Sequence, residues 1–126
     1  RNHACAGTRL QELYQFQNLE SFRKIIELRY ALIPYIYSEF MKAEVKNEMY
    51  FRPLSFIWSK DSRAYEVEDQ IVVGESIMLA PVVEQNHNGR TVYLPESMKL
   101  LRFKEWNDYT EEILTAGTHY VECRLF

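Results

Sequence analysis

Little in this chain invites chemistry by abundance. Its 126 residues include two cysteines, four glycines, four prolines and three histidines. Cys5 and Cys123 stand almost a full chain length apart. Two such residues read as reduced thiols, buried or half-buried, and nothing in their spacing supports a bridge. No cysteine or carboxylate lies at ligand spacing around the histidines, so no metal site is expected. The formal net charge is −3. Without a basic field, nucleic acid is excluded as the main partner. No apolar run approaches the ~20 residues of a membrane span, so no membrane partner is expected. A signal peptide is absent, but the chain opens on Arg1 rather than Met; the numbering is expected to start inside a longer protein. There is no glycine-rich phosphate loop, no serine elbow and no Cys–His pairing. Internal repeats and low-complexity segments are also missing.

What the chain does have is apolar and aromatic bulk, 47% and 14% of its residues. The densest part is 18–47. Phe22, Ile25, Ile26, Tyr30, Ile33, Ile36, Tyr37 and Phe40 recur at intervals of three and four, which is one stripe of a 3.6-residue period. The pattern predicts a helix over 19–46, roughly 42 Å long. Asn18 suits the N-cap, Glu20 the positive end of the dipole, and Lys42 and Lys46 the negative end. A helix this apolar needs cover, and the rest of the chain is expected to supply it.

Residues 1–16 have no clear period and read as a structured loop leading into the helix, a place where sites concentrate. After the helix, Phe51 to Trp58 is apolar on both alternating faces apart from Arg52 and Ser55. Such a run predicts a buried strand of a parallel sheet, although Pro53 withholds a ladder donor. The character then changes. Short strands are expected at 71–73, 76–83, 91–94, 99–103 and 119–126, punctuated by Gly74, Asn88-Gly89, Asn107-Asp108 and Ala116-Gly117. The fold class is therefore α/β followed by all-β, with a boundary near 70–74.

Eighteen carboxylates are present, and most lie on helix faces or in turns, where solvation explains them. His3 stands apart. It follows Arg1 and Asn2 in an irregular loop, with Gln11 and Glu12 close behind. Clustered hydrogen-bonding side chains suit a polyhydroxylated ligand such as a sugar, and a purely structural histidine remains the competing reading.

Several segments together resemble glycoside hydrolase family 31, the α-glucosidase and α-xylosidase family. They are Arg1-Asn2-His3, Gln11-Glu12, the run Arg29 to Ser38, Arg52-Pro53-Leu54, Asp69-Gln70 with Gly74, Leu79-Ala80-Pro81-Val82 and Val92-Tyr93-Leu94-Pro95. The wording of Tyr93 to Met98 and Glu111 to Leu114 is similar to α-glucosidases of Firmicutes. The resemblance implies the end of a (β/α)8 barrel over 1–70, comprising the site loop, the helix 19–46 and a barrel strand 51–58. An antiparallel β-sandwich portion would follow over 71–126. It implies a retaining hydrolase of terminal α-linked glucosyl residues whose two catalytic aspartates precede Arg1, so that no catalytic residue lies in these residues. Barrel sites open at the C-terminal ends of strands. His3 resembles the family histidine that hydrogen-bonds sugar hydroxyls, with Arg1 beside it as a second substrate-binding residue. Asp69 and Gln70 would fix the junction of barrel and sandwich.

No cofactor is implied, because retaining hydrolysis uses carboxylates and water. The implied partners are an α-glucoside and the missing N-terminal part of the same chain, and the implied location is cytoplasmic. These 126 residues alone are expected to be inactive. Two other readings compete: a stand-alone sugar-binding or protein-interaction module docking through its aromatic helix, and an inactive homologue that keeps the fold.

Overall fold

The computed structural model describes residues 17–123. Arg1, His3 and Cys5 lie outside the described residues.

The dominant element is α1 (Leu19–Lys46), 28 residues long and over the span that the periodicity marks. Asn18 caps it, its side chain accepting from the Ser21 amide at 3.3 Å. Asn47 ends it in the left-handed region at φ 55, and the next amide, that of Glu48, donates back to the Ala43 carbonyl at 2.9 Å. Left-handed closure of this kind satisfies carbonyls that the last turn leaves open.

Beyond the helix come β1 (Phe51–Pro53), α2 (Leu54–Ile57) and a short 3-10 turn (Ser62–Tyr65). The strands that follow are β2 (Ile71–Val73), β3 (Ile77–Leu79), β4 (Gly89–Leu94), β5 (Met98–Glu105), β6 (Asp108–Leu114) and β7 (Gly117–Glu122). The eight-residue buried parallel strand expected over 51–58 is not formed. Only Phe51–Pro53 is extended, and it pairs antiparallel with β2. The run then turns into α2, whose helical bond joins the Trp58 amide to the Leu54 carbonyl at 2.9 Å. Pro53, with φ −56, is the hinge; it has no N–H to extend the ladder, and its φ is already that of a helix start.

Among the described residues every strand pairing is antiparallel. The strands form a three-stranded sheet in the order β1–β2–β3 and two pairs, β4–β7 and β5–β6. The small core sits where the first sheet meets α2 and β4. Leu54, Ala64 and Val72 are its buried centre, with Ile57, Trp58, Val67, Met78 and Tyr93 packed around them. Burying Leu54 completely stabilises the fold by about 1.5–3 kcal/mol. Among the described residues no helix is long and apolar enough to cross a membrane. Cys123 is a free thiol and is exposed rather than buried.

Candidate functional site

The helix has two faces, and the chain uses the less apolar one. At about 100° per residue, Leu28, Leu32, Tyr35, Glu39 and Lys42 gather on one side of α1. Leu28, Leu32, Tyr35, Glu39 and Lys42 are all half-buried, and three of them grip the β2–β3 turn. The Tyr35 hydroxyl donates to the Val73 carbonyl at 2.9 Å and accepts from the Ser76 amide at 2.9 Å. Glu39 accepts from the Glu75 amide at 2.9 Å. Lys42 pairs with the Glu75 carboxylate at 2.6 Å and with Glu39 at 3.6 Å. The Arg52 guanidinium donates to the Gly74 carbonyl from the strand side. The pairing with Glu75 raises the Lys42 pKa, and Lys42 in turn lowers that of Glu75. Burial pushes the nearby Tyr50 phenol upward, with Tyr35 and Glu39 adding to it.

Away from this docked face lies the stripe that the sequence singles out; Phe22, Ile26 and Ile36 are half-buried, and its other five members are exposed. Tyr30 is 68% exposed, Ile33 42%, Tyr37 62% and Phe40 52%. The described residues therefore cover the stripe only in part. The chain's accessible surface of 9972 Å² exceeds the roughly 7,100 Å² typical of a folded monomer of this mass. An aromatic stripe of this extent marks a packing surface for another body.

A second network ties the first sheet to β4. The Gln70 side chain is 5% exposed. Its amide nitrogen donates to the Tyr93 carbonyl at 2.8 Å, and its oxygen accepts from the Tyr93 amide at 2.8 Å. Next to it, Arg90 bonds the Asp69 carboxylate and donates to the Pro81 carbonyl at 2.9 Å. At the other end of Tyr93, the hydroxyl donates to Asp61 at 2.6 Å, while the Arg63 guanidinium lies 4.9 Å from the ring centroid. That hydroxyl is the main reason Asp61 sits below the ordinary carboxylate range, with the Arg63 and Ala64 amides helping; the same bond raises Tyr93. Asp61 and Glu75 are thus held ionised, and neither is prepared to deliver a proton near neutrality. Among the described residues no cluster of three His, Cys, Asp or Glu could hold a metal ion.

These networks are a scaffold rather than a reaction centre. The sequence singles out Asp69 and Gln70, and the structure brings both against β4; it does not reveal the Tyr35–Glu39–Lys42 grip in advance. Tyr35 and Glu39 are one turn apart on a long helix, which is a signal only once their partner turn is known.

Two sequence profiles match the chain in succession. The profile of the glycosyl hydrolases family 31 TIM-barrel domain matches residues 1–39. The profile of the glycosyl hydrolase family 31 C-terminal domain matches residues 47–125. The chain belongs to glycoside hydrolase family 31. Alpha-glucosidase 2 of Bacillus thermoamyloliquefaciens is 32% identical over 124 residues, covering 96% of this chain and 15% of that protein. Lysosomal alpha-glucosidase of Bos taurus is 35% identical over 98 residues, covering 76% of this chain and 10% of the bovine protein. Among solved structures, a family 31 alpha-xylosidase from a soil metagenome, complexed with xylose, superposes with a TM-score of 0.72 at 26% identity. It covers 96% of this chain and 17% of that one. The family 31 dextranase of Flavobacterium johnsoniae complexed with glucose gives 0.76 at 28%, covering 94% and 14%. This family 31 chain therefore spans a small part of each relative's length. Its antiparallel sheets are the C-terminal, all-β part of the family plan.

Proposed function

We propose that these residues serve a retaining α-glucosidase, as the end of its catalytic barrel and the start of the sandwich that follows. In this reading 1–46 belongs to the barrel, and the sandwich domain starts ahead of β1, which shares a ladder with β2, earlier than the boundary near 70–74 expected from the sequence. The hydrolysis is carried by two aspartates contributed from before Arg1. One forms the glycosyl-enzyme intermediate, and the other protonates the leaving oxygen and then activates water; the two carboxyls stand roughly 5–5.5 Å apart. His3 hydrogen-bonds hydroxyls of the bound glucosyl unit, and Arg1 orients the loop beside it. The whole protein is proposed to act in the cytoplasm, without a cofactor.

The observation that supports this reading best is the pairing of a family match with the exposed part of the α1 stripe. A profile for the barrel covers 1–39, and Tyr30, Ile33 and Tyr37 within that span are exposed. A barrel body packed on these three would bury them. The names of the relatives, two α-glucosidases among them, favour a glucoside over other sugars.

The test uses a chromogenic α-glucoside. The full-length protein is expected to release the chromophore, and the 126 residues alone are not. Replacing His3 with Ala in the full-length protein should lower kcat/KM by up to about tenfold, the loss of one hydrogen bond to a substrate hydroxyl. Turnover by the isolated chain would overturn the placement of the catalytic groups. Full activity without His3 would overturn its role.

A further inference from the structure

The connection into β4 ends on the pair Asn88-Gly89, and Asn88 is the only asparagine of the chain with a glycine after it. The two residues are held in opposite ways. Asn88 is exposed, whereas Gly89 is buried. A Cβ on Gly89 would stand 2.5 Å from the Val121 carbonyl oxygen and 2.9 Å from the Glu122 Cα. Both atoms belong to the backbone of β7, which cannot step aside without opening the ladder. Packing therefore demands glycine at 89, and the nitrogen that follows the Asn88 carbonyl is left without a side chain to shield it.

The ladder fixes where that nitrogen points. The Cys123 amide donates to the Asn88 carbonyl at 2.7 Å, and Gly89 stands opposite Glu122. Bonded and non-bonded pairs alternate along an antiparallel ladder. Asn88 and Cys123 are the bonded pair, Gly89 and Glu122 the non-bonded one, so the Gly89 N–H is turned away from β7. Among the described residues β4 has no other strand partner. What the ladder does restrain is the peptide plane between the two residues, through the carbonyl that Cys123 holds.

We propose that Asn88 is a site of spontaneous deamidation, gated by the opening of this last rung. The Gly89 nitrogen attacks Cγ of Asn88 and closes a five-membered imide. The bond from Cγ to the side-chain nitrogen breaks, and ammonia leaves with the proton of the Gly89 amide. Water then opens the ring at either carbonyl, giving aspartate or isoaspartate; nothing is oxidised or reduced. Ring closure requires the peptide plane to rotate about ψ of Asn88, away from the extended backbone of a strand, and the bond from Cys123 opposes that rotation. The rung lies at the outer end of the β4–β7 ladder, where local opening costs least. The isoaspartate product carries one extra main-chain carbon immediately ahead of β4, so the bond to Cys123 is not remade in register. The inference does not depend on the sugar or on the reaction.

Peptide mapping of the full-length protein, aged at mildly alkaline pH, tests this. Isoaspartate should accumulate at Asn88 ahead of Asn86 and Asn107, which are equally exposed but precede His87 and Asp108. It should form more slowly in the folded protein than in the same protein unfolded in urea. Cys123→Pro removes the amide that donates to Asn88 and should speed the reaction in the folded protein by up to about tenfold, the worth of one hydrogen bond. Asn88 modified no faster than Asn86 and Asn107 would overturn the site. A folded rate equal to the unfolded one, or a folded Cys123→Pro variant that ages like the parent, would overturn the gate. Should that variant not fold, hydrogen exchange of the Cys123 amide in the parent replaces it. Low concentrations of urea should raise that exchange and the deamidation rate in parallel; deamidation that stays level while the exchange rises would be the contrary result.

Discussion

Gly74 lies so close to Glu39 that a Cβ on the glycine would stand 2.5 Å from the glutamate Cγ and 2.8 Å from its Cβ. The backbone there has φ +62, in the region where a side chain is strained even in open space. Helix and turn therefore meet at a point where only a bare Cα fits. Gly74→Ala is expected to destabilise the fold by about 2–4 kcal/mol, strain and collision together. Urea unfolding measures it. Glu39→Ala removes Cγ and the carboxylate but keeps the Cβ, so the double variant should lose less than the two single losses added, while remaining below the parent in stability.

Gln70 supports both backbone polar groups of one residue of β4, Tyr93. Gln70→Ala leaves the Tyr93 amide and carbonyl without that partner in a half-buried place, at a cost of about 1–3 kcal/mol. Gln70→Glu retains the acceptor for the Tyr93 amide but presents no donor to the carbonyl at neutral pH. Its melting temperature should fall at pH 7 and recover part of the loss as the pH drops and the carboxyl regains a proton. A substitution by glutamate that is neutral at pH 7 would contradict the pairing.

Asp61 gives the acid side of the stability curve a definite sign. Its carboxylate is held below the ordinary range, chiefly by the Tyr93 hydroxyl. A group depressed in the folded state contributes fully above its unfolded pKa, about 3.9 for Asp, and that contribution disappears as the pH falls through the folded value. Tyr93→Phe removes the main cause. The variant should lose stability near neutrality yet show a shallower decline between pH 5 and pH 2 than the parent. Denaturant midpoints across that range measure both effects, and parallel curves would show that the bond is not linked to protonation.

Ile33 separates the two settings of the helix. In the chain by itself it is 42% exposed on the stripe, so Ile33→Asp should leave melting within about 0.5 kcal/mol of the parent and improve solubility. In the full-length protein, where the proposed barrel covers the stripe, the same change buries a carboxylate and should lower soluble yield or melting sharply. Equal behaviour in both settings would mean that the stripe meets nothing.

The long helix was legible because its signals agree. Periodicity, the Asn18 cap and the charges at its ends all point to 19–46. What the stripe packs against was not legible, since a period gives a direction on the helix and no partner. The docked face is written in Tyr35, Glu39 and Lys42, which look like ordinary surface residues until the β2–β3 turn is placed beside them. β6 escaped notice for a related reason. Residues Asp108 to Ile113 are all exposed, so no buried face imposed the alternation by which strands are found. The run 51–58 misled because a short apolar stretch reads equally as strand or helix, and Pro53 divides it between the two. The His3 and Arg1 loop lies outside the described residues; its reading rests on resemblance.

The Gln70 bridge has a consequence for how this part of the molecule can vary. The sheet β1–β2–β3 and the pair β4–β7 share no ladder, yet one amide side chain fixes their alignment by standing in for a peptide group. The connection between β3 and β4, residues 80–88, is thereby relieved of any measuring duty. Beyond Pro81, whose carbonyl Arg90 holds, it can lengthen or shorten while the two sheets continue to meet at the same place.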